Sequence, residues 1–471
     1  MATGTLDLDL RDAHSMLGGG RLAADPVDRR LAARLAAEGT SRLRPDEPFA
    51  VRGCVLTPDE ALEDHHVVVA GARVQEVVAA APAGMTVVPA DGIVLPGLID
   101  LHGHPEYNVF AAWEPPRQYA NRYAWRRSPE YDAVVRKPWA TLTGSGDGAA
   151  RPSLLPALTR YAEARALVGG CTAIQGASGK YPDRHESLVR NVDLRIFGAD
   201  HARSVIDLSR ADAADRTRLR AQIDAGEVTA VYVHLAEGVD DRSRAEFDDL
   251  AGSGLLTPAT VIIHGTALSA AQWQQVAEAQ AKLVWSPQSN LRLYAATTDV
   301  AAALAVGVQV GLGADWLPSG SASLLDELQV ARRLLTAQGV LVDPARLVRR
   351  ITSDAAAIAG LADQLGRIAP GRPADLVVLE RQAADPWESV LASDRRAVDL
   401  VVLGGDIAYG RAEWVAALAG PSQMEPVLAW GKRMALDLSY SVSASDAPPP
   451  RLADLRAALL ARFPQAGPLL A

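Results

Sequence analysis

Histidine and aspartate residues stand at the C-terminal ends of apolar runs, and this placement constrains the fold more than any other feature of the chain. The runs are VLPGLIDLHGH, VTAVYVHLAE, TVIIHG and VGLGAD, and they carry His102, His104, His234, His264 and Asp315. Short apolar runs of this kind are typical of buried strands. In a barrel of parallel strands the carboxyl ends face one common mouth, where catalytic side chains lie. The pattern therefore predicts that these five side chains meet in one site.

The middle of the chain alternates apolar runs with helical stretches, which is the pattern of a β/α series. We expect strands at 94–101, 170–175, 193–197, 228–234, 260–264, 282–286 and 308–313. A closed barrel needs one strand more than these seven, and the best candidate is SVIDL, residues 204–208. The sequence therefore favours an α/β fold, a (β/α)8 TIM-like barrel.

Two clusters of short β runs flank this series, one near each end of the chain. Residues 49–96 and 367–415 are expected to form a small β-sandwich assembled from both ends, with the barrel at 97–366 between them. Residues 1–48 are interpreted as an N-terminal extension, and residues 416–471 as a C-terminal helical extension.

Composition narrows the class of protein. Apolar residues make up 49% and charged residues 22% of the 471 residues, which is ordinary for a globular enzyme. The net charge of −9 argues against nucleic acid or an acidic membrane surface as a partner. Two cysteines without a CxxC pair predict a reducing compartment, and they exclude a zinc site of the cytidine deaminase type. We see no signal peptide and no run of membrane-spanning length, so the expected location is the cytoplasm.

The spacing of the first two histidines indicates a metal site. His102 and His104 are two residues apart, so on an extended strand both rings point to the same side. His234 and Asp315 complete a set of three nitrogens and one carboxylate that leaves a position for water. A divalent ion lowers the pKa of its water from about 15.7 to about 7. A single histidine after a strand is more often a core residue, but the HxH pair favours metal binding for the set.

Two further residues have expected catalytic roles. Glu237 follows His234 by three positions and is expected to carry a proton from the metal-activated water to a leaving nitrogen. The alternative is a solvated loop carboxylate. His264 either binds a second metal or stays neutral and steers the hydroxide or polarises the substrate, and we favour the second role.

The motifs PGLIDLHGH, HLAE, HG, SPQSNLRL, GLGADW and IAPGRPADLVVLE occur in this order. Together they resemble the amidohydrolase superfamily, and more narrowly its aminohydrolase branch of cytosine, guanine and S-adenosylhomocysteine deaminases and triazine hydrolases. The resemblance runs from about Val51 to Gly410. It implies a (β/α)8 barrel with a flanking β-sandwich, and one Zn²⁺ ion, with Fe²⁺ as the alternative. It also implies that the metal ligands are His102, His104, His234 and Asp315.

The same resemblance implies that Glu237 is the proton shuttle and that His264 contacts the substrate or the hydroxide. Two-metal members of the superfamily usually bridge their ions with a carboxylated lysine on the fourth strand. No lysine lies between Lys180 and Lys282, so a single ion is the better interpretation. Asp315 is then expected both to bind the ion and to accept a proton from the attacking water.

The substrate-binding residues are less constrained by the sequence. Residues 107–139 form a long loop rich in aromatic residues, among them Tyr107 and Trp113, which either closes over a flat ring or is simply packed. Gln175 ends a strand and is either a substrate ligand or a buried structural amide. Trp316 follows the metal aspartate and either lines the pocket or packs on the rim.

The leading hypothesis is a metal-dependent hydrolase that attacks a non-peptide C–N bond of a small cyclic nitrogenous substrate. The alternative is an amide, lactam or ureide hydrolase, or a dechlorinase, with the same site. A binding protein that lost turnover is a third hypothesis, which the complete set of site residues disfavours. By analogy with related barrels we expect a homodimer or a higher homo-oligomer.

Overall fold

The structure is a computed structural model that describes residues 47–144, 152–176, 188–193, 196–419, 424–438 and 451–466. The expected N-terminal extension, residues 1–48, lies almost wholly outside the described residues. The strands are β1 (Phe49–Leu56), β2 (Ala61–Ala70), β3 (Arg73–Val78), β4 (Thr86–Pro96), β5 (Leu98–Asp100), β6 (Cys171–Ile174), β7 (Arg190–Asn191), β8 (Ala202–Val205), β9 (Ala230–Leu235), β10 (Thr260–His264), β11 (Lys282–Trp285), β12 (Gln309–Leu312), β13 (Leu376–Leu379), β14 (Val398–Leu403), β15 (Asp406–Arg411), β16 (Glu425–Ala429) and β17 (Lys432–Leu436).

The α-helices are α1 (Arg122–Trp125), α2 (Pro129–Tyr131), α3 (Lys137–Thr143), α4 (Leu155–Val168), α5 (Ala213–Asp224), α6 (Asp241–Gly252), α7 (Ala270–Glu278), α8 (Pro287–Tyr294), α9 (Val300–Ala305), α10 (Leu324–Ala337), α11 (Pro344–Arg349), α12 (Ser353–Ile358), α13 (Pro386–Ala392), α14 (Ala412–Ala419) and α15 (Leu452–Arg462). Several begin at a side chain that accepts a hydrogen bond from the first turn, such as Asp240 before α6 and Ser269 before α7. None of the helices in the described ranges is both long and apolar enough to cross a membrane.

The barrel is built from parallel strands at the centre of the chain. Within the described residues, β12-β11-β10-β9-β8 form one parallel sheet and β5-β6-β7 form another, which makes eight strands in sequence order. The first and last strands meet through the Leu101 N–H, which donates to the Leu312 carbonyl at 3.3 Å, and through a bridge between Gly103 and Asp315. On the other side, Gln175 after β6 donates to Ser204 of β8 at 2.8 Å.

Three of the expected barrel strands need correction. The third strand is Arg190–Asn191 rather than 193–197, and the fourth is Ala202–Val205, which precedes most of the expected segment 204–208. The expected strand 94–101 is in fact two strands in different sheets, divided at Gly97. A Cβ atom at Gly97 would lie 2.1 Å from the Thr172 Oγ1 atom, so only glycine allows the chain to change sheets there.

The second sheet joins the two ends of the chain. In the described residues it has nine strands in the order β16-β17-β15-β14-β13-β4-β1-β2-β3, and β4 pairs with β13 antiparallel. The two β clusters expected at 49–96 and 367–415 therefore lie in one sheet. Strands β16 and β17 extend it, so the prediction of a helical extension at 416–471 is wrong for residues 425–436. Helix α15 at 452–462 does fit that prediction.

The aromatic loop, residues 107–139, is not irregular. It contains the short helices α1 and α2, a π-helical turn at Asp132–Arg136 and the start of α3. Its aromatic side chains pack into the main apolar core, which includes Trp113, Tyr119, Trp125, Tyr131 and Trp139. The loop therefore forms a packed wall above the mouth of the barrel.

Candidate metal centre and active-site pocket

The ends of three barrel strands bring the expected metal ligands together. The Nε2 atom of His102, which follows β5, lies 3.1 Å from the Nε2 atom of His234 on β9. It also lies 3.5 Å from the Oδ1 atom of Asp315, which follows β12. The Nε2 atom of His104 is 3.6 Å from the same carboxylate oxygen. The ligand atoms of His102, His104 and His234 lie within 4.8 Å of one another, and the Asp315 carboxylate lies within 3.6 Å of two of these nitrogens.

This donor set fits a divalent metal ion. Bonds of about 2.0–2.2 Å to one zinc ion place neighbouring ligand atoms about 2.9–3.6 Å apart, which is the range of the separations between these ligands. The other ring nitrogen of His102, Nδ1, lies 2.8 Å from the Ser286 hydroxyl, which leaves Nε2 directed at the centre. Such a second partner for a ligating histidine is usual in metal sites. His264 also lies within ligand reach of His102 and Asp315.

Backbone contacts between the first and last barrel strands fix these ligands. The Asp315 N–H donates to the His102 carbonyl at 2.8 Å. The Asp100 Oδ1 atom accepts from the backbone N–H groups of His102 and Ala314, at 3.2 and 3.1 Å. Gly313 permits this close approach, because a Cβ atom there would lie 2.4 Å from the His102 Cβ atom. The sequence GLGAD therefore has a packing reason for its second glycine.

Three non-glycine residues at the site have left-handed backbone conformations. The φ angles are +53° at Ala236, +68° at His264 and +59° at Asp315. Such angles are uncommon for residues with a Cβ atom, and they concentrate at functional sites, where surrounding contacts stabilise them. At each of these positions the chain turns sharply as a strand ends, which aims the local side chains at the barrel mouth.

Burial decides the charge state of the histidines. It holds the pKa values of His102 and His234 well below the ordinary value of 6.5, and the neighbouring imidazoles lower them further. Burial also lowers the pKa of His264. Neutral imidazoles are the form that binds a metal ion. Burial raises the pKa of Asp315 well above 3.8, and Glu237 and Glu327 add to this, so a cation at the centre would offset an unfavourable local charge.

Glu237 and His264 face each other beside the ligand cluster. The Glu237 Oε2 atom lies 3.7 Å from the His264 Nε2 atom, and the Oε1 atom accepts a hydrogen bond from the Tyr294 hydroxyl at 2.6 Å. The His264 Nδ1 atom lies 3.0 Å from the Asn290 Oδ1 atom, while the Asn290 amide nitrogen faces the Thr298 hydroxyl at 3.3 Å. This arrangement assigns the ring proton to Nδ1, so the neutral His264 presents an accepting nitrogen to the site.

A cleft opens above the cluster, with an empty volume of about 690 Å³ that includes solvent at its mouth. One wall is aromatic. The rings of Trp125 and Trp316 lie 5.6 Å apart at 34°, and the rings of Tyr107 and Tyr131 contact Trp316 at 5.5 and 6.1 Å. The charged and polar lining comes from the metal cluster together with Glu106, Arg122, Arg126, Glu237 and His264.

The expected substrate-binding residues divide into two groups. Tyr107 and Trp316 line the cleft, as does His264. Trp113 does not, since it is buried behind the wall against Tyr119 and Tyr131, so the expectation that it binds substrate needs correction. Gln175 is also away from the cleft.

The Gln175 amide nitrogen is 2.8 Å from the Ser204 hydroxyl and 3.5 Å from Asp193. It therefore fits the alternative of a buried structural amide. Sequence reasoning missed Tyr294 and the arginines Arg122 and Arg126. The available signal for Tyr294 was its place at the end of the motif SPQSNLRLY, one helix after the seventh barrel strand.

Parallel strands in a barrel arrangement, with histidine and aspartate ligands at the mouth beside a glutamate, define the class of metal-dependent barrel hydrolases. Comparison with known proteins points to the same class. The model of the amidohydrolase family matches residues 194–408. This match confirms the resemblance recognised from the motifs, and the chain is a hydrolase of C–N bonds other than peptide bonds.

Individual relatives agree with this assignment. The chain is 26% identical over 329 residues to a 5-methylthioadenosine/S-adenosylhomocysteine deaminase of Teredinibacter turnerae, covering 62% of this chain and 73% of that protein. It is 24% identical over 384 residues to an 8-oxoguanine deaminase of Pseudomonas aeruginosa, covering 66% and 81%. These relatives are deaminases by name.

Solved structures share the fold. An adenosine deaminase from Xanthomonas campestris with bound zinc superposes with a TM-score of 0.60 at 19% identity, covering 78% of this chain and 93% of that one. A triazine hydrolase variant gives 0.61 at 18%, covering 77% and 94%. Escherichia coli guanine deaminase gives 0.60 at 18%, covering 77% and 100%. The predicted α/β barrel fold class is confirmed, and one nine-stranded sheet assembled from both chain ends stands where the β-sandwich was expected.

Proposed function

We propose that this protein is a mononuclear metal aminohydrolase that removes an amino group from a planar nitrogen heterocycle. The observation that carries the proposal is the convergence of three imidazole nitrogens and the Asp315 carboxylate beside Glu237, under an aromatic wall. A flat ring packs favourably against the rings of Trp125 and Trp316, because aromatic side chains bury large apolar faces at fixed geometry. The deaminase relatives support the same class of substrate.

The metal ion belongs to the same proposal. It would be held by His102, His104, His234 and Asp315, with one coordination position left for water. Zinc is the expected ion because it binds imidazole nitrogen and carboxylate oxygen, and Fe²⁺ is the alternative. When bound, such an ion acidifies water and polarises the substrate.

The chain's own residues then divide the proton transfers. The attacking water gives up two protons as its oxygen bonds to the ring carbon. Asp315 accepts one of them and passes it to the ring nitrogen. Glu237 takes the other and delivers it to the amino nitrogen as the C–N bond breaks and ammonia leaves. His264 accepts a hydrogen bond from the water through Nε2, which orients the water, while Asn290 fixes the ring. The product is the corresponding oxo heterocycle.

A second candidate keeps the site and changes the bond. Triazine hydrolases have the same fold, and their likeness here favours displacement of a ring substituent other than an amino group, such as chloride. Hydrolysis of an amide, lactam or ureide is the other form of this alternative. The relatives found by sequence are deaminases by name, so we place deamination first.

Location and assembly complete the proposal. We propose a cytoplasmic homo-oligomer that acts on a small molecule, without nucleic acid or membrane as a partner. The net charge of −9 supports the absence of an anionic partner. Light scattering of the purified protein measures the assembly directly, and a monomer at all concentrations would contradict that part.

The test is turnover of a defined panel by metal-loaded protein. The panel contains amino-substituted purines, pyrimidines, pterins, triazines and nucleosides, together with chlorotriazines, lactams and ureides, and the assays measure ammonia, chloride and ring opening. We expect ammonia in equal amount to the amine consumed. Glu237→Gln is expected to lower kcat by about 10²–10⁴-fold.

The matched control is Glu278→Gln, which removes an exposed carboxylate on α7, far from the cleft, and is expected to leave turnover unchanged. Chloride release without ammonia would support the second candidate. A protein that binds no transition metal, or a Glu237→Gln variant with full activity, would contradict the proposed function.

A further inference from the structure

The Tyr294 hydroxyl lies between Glu237 and Trp125, in a buried chain of two hydrogen bonds. The Trp125 Nε1–H donates to the Tyr294 oxygen at 2.8 Å, and the Tyr294 oxygen lies 2.6 Å from the Glu237 Oε1 atom. An indole nitrogen only donates, and a phenol has a single proton. The Tyr294 proton therefore has to point at Glu237, and the direction of both hydrogen bonds is determined.

The direction of these hydrogen bonds gives the two carboxylate oxygens of Glu237 different roles. Oε1 is occupied as an acceptor by Tyr294, whereas Oε2 faces the His264 ring at 3.7 Å across the site. A proton in transit therefore resides on Oε2. Burial and the neighbouring Glu237 carboxylate hold the pKa of Tyr294 well above 10, so its hydroxyl stays a donor across the working pH range.

The aromatic loop also holds the backbone of Glu237. The Arg122 N–H donates to the Glu237 carbonyl at 3.1 Å, and the Arg122 guanidinium donates to the His234 carbonyl at 3.0 Å. Asn121 and Gly238 form an antiparallel bridge. The segment that supplies Trp125 is thus hydrogen-bonded along the segment that carries Glu237.

Glycine at position 238 is required for this contact. A Cβ atom there would lie 2.5 Å from the Ala120 carbonyl oxygen, and its φ angle is +154°. On the opposite side, the Glu246 Oε2 atom accepts from the Ala236 N–H at 2.8 Å. The loop that carries Glu237 is therefore hydrogen-bonded on both sides, and the Tyr294 hydroxyl holds the end of the Glu237 side chain.

We infer that Tyr294, itself fixed by Trp125 of the aromatic loop, is a positioning residue that holds Glu237 with Oε2 directed at the reacting atoms. The inference rests on the proposed function, since it assigns the means by which the proton shuttle of that reaction is oriented. It gives the aromatic loop a second task besides lining the cleft. Two segments that are distant in sequence, 121–125 and 287–294, are therefore needed to orient the Glu237 carboxylate.

The first test compares Tyr294→Phe with wild type in steady-state kinetics, on whichever panel compound is turned over. A displaced proton donor costs rate rather than binding, so we expect kcat to fall about 10- to 100-fold with KM within about 3-fold. Trp125→Phe keeps a ring but removes the donor to Tyr294, and it is expected to cause a smaller fall in kcat.

The matched control is Tyr119→Phe. It removes a buried tyrosine hydroxyl from the same loop, one that donates to Ser128 at 3.2 Å without contacting Glu237. Its kcat is expected to stay within 2-fold of wild type. A fall in kcat equal to that of Tyr294→Phe would show a general packing effect and overturn the inference.

A double variant isolates the route of the effect. If Tyr294 acts through Glu237, then adding Tyr294→Phe to Glu237→Gln should cause no further loss of kcat, because residues that act as a unit are non-additive. Equal fold-losses in the wild-type and Glu237→Gln backgrounds would overturn the inference.

Crystal structures test the positioning role of Tyr294 without any measurement of turnover. Crystal structures of zinc-loaded wild type and Tyr294→Phe are expected to show the Glu237 carboxylate fixed in the first and moved or divided between rotamers in the second. An unmoved carboxylate would refute the positioning role even if no substrate were found. Absence of turnover by the wild type, by contrast, would count against the proposed function alone.

Discussion

Replacing Gly313 with alanine tests whether the close contact between the first and last barrel strands sets the metal centre. A Cβ atom at this position would lie 2.4 Å from the His102 Cβ atom and 2.6 Å from its backbone nitrogen. Carbon atoms in favourable contact are about 3.5–4.0 Å apart. His102 or the end of β12 must therefore move by about 1 Å, and neither is the flexible tip of a side chain.

That movement is large compared with what a metal site tolerates. Ligand distances hold to within about 0.2 Å, so a shift of about 1 Å removes one of the donors from reach. Losing the support of a ligand alone typically costs 10- to 100-fold in metal affinity, and we expect Gly313→Ala to weaken zinc binding at least about 100-fold. Overpacking should also lower the free energy of unfolding by about 1–3 kcal/mol.

The assay is competition for zinc against a chromophoric chelator, with urea unfolding measured on the same preparation. Gly252→Ala is the control, because Gly252 ends α6 with nothing within 4 Å of an added Cβ atom. It should bind zinc as wild type does. If Gly313→Ala kept wild-type zinc affinity, the argument that this strand contact positions His102 would be refuted.

Two further predictions concern buried charges. The Arg190 Nε atom lies 2.8 Å from the Asp375 Oδ2 atom, and both side chains are buried. Asp375→Ala removes this partner and should lower the free energy of unfolding, measured in urea, by about 3–5 kcal/mol. A loss below about 1 kcal/mol would contradict the prediction. Burial raises the pKa of Glu327 from 4.5 to about 8. The folded state therefore binds this proton between about pH 4.5 and 8 while the unfolded state does not, and stability falls across that range. Relative to wild type, Glu327→Gln should gain unfolding free energy as pH rises from 5 to 8, and a constant difference would show the prediction wrong.

The parts of the barrel that the sequence predicts are those with a strong local signal. Strand β9 has the fully buried run AVYVHL, and β10 has TVIIH, so both appear as apolar runs that end in a histidine. Because parallel strands deliver their carboxyl ends to one mouth, five residues spread over more than 200 positions were expected in one place. Their clustering needed no knowledge of the helices between them.

The parts that were misplaced have a weak local signal or depend on tertiary pairing. Strand β7 has two residues, too few to show any periodicity, and its position follows from pairing with β6. Strand β16 has the sequence EPVLA, which includes a proline and alternates between partly buried and exposed positions before its buried last residue, at a sheet edge. The division at Gly97 depends on Thr172, which is distant in sequence.

The sequence does not predict the directions of the catalytic side chains, and the physical reason is different. Ala236, His264 and Asp315 adopt left-handed φ angles, each of which costs about 1–3 kcal/mol for a residue with a Cβ atom. Neither alanine nor histidine signals that conformation in a sequence. It persists because distant groups hold the backbone, and the Thr298 hydroxyl, for example, donates to the His264 carbonyl at 2.7 Å.

The metal ligands and the catalytic geometry therefore have separate origins in this chain. Strand order and the contact between β5 and β12 bring the metal ligands together, whereas the orientation of Glu237 and His264 requires Tyr294, Asn290 and Thr298, which lie within or just after α8. A chain with every ligand motif but without these three residues would keep the donors of the metal site and lose the hydrogen bonds that orient Glu237 and His264 for proton transfer. Metal affinity and kcat should then respond to different sets of substitutions, the first to the contact between β5 and β12, the second to residues 290–298 and the aromatic loop.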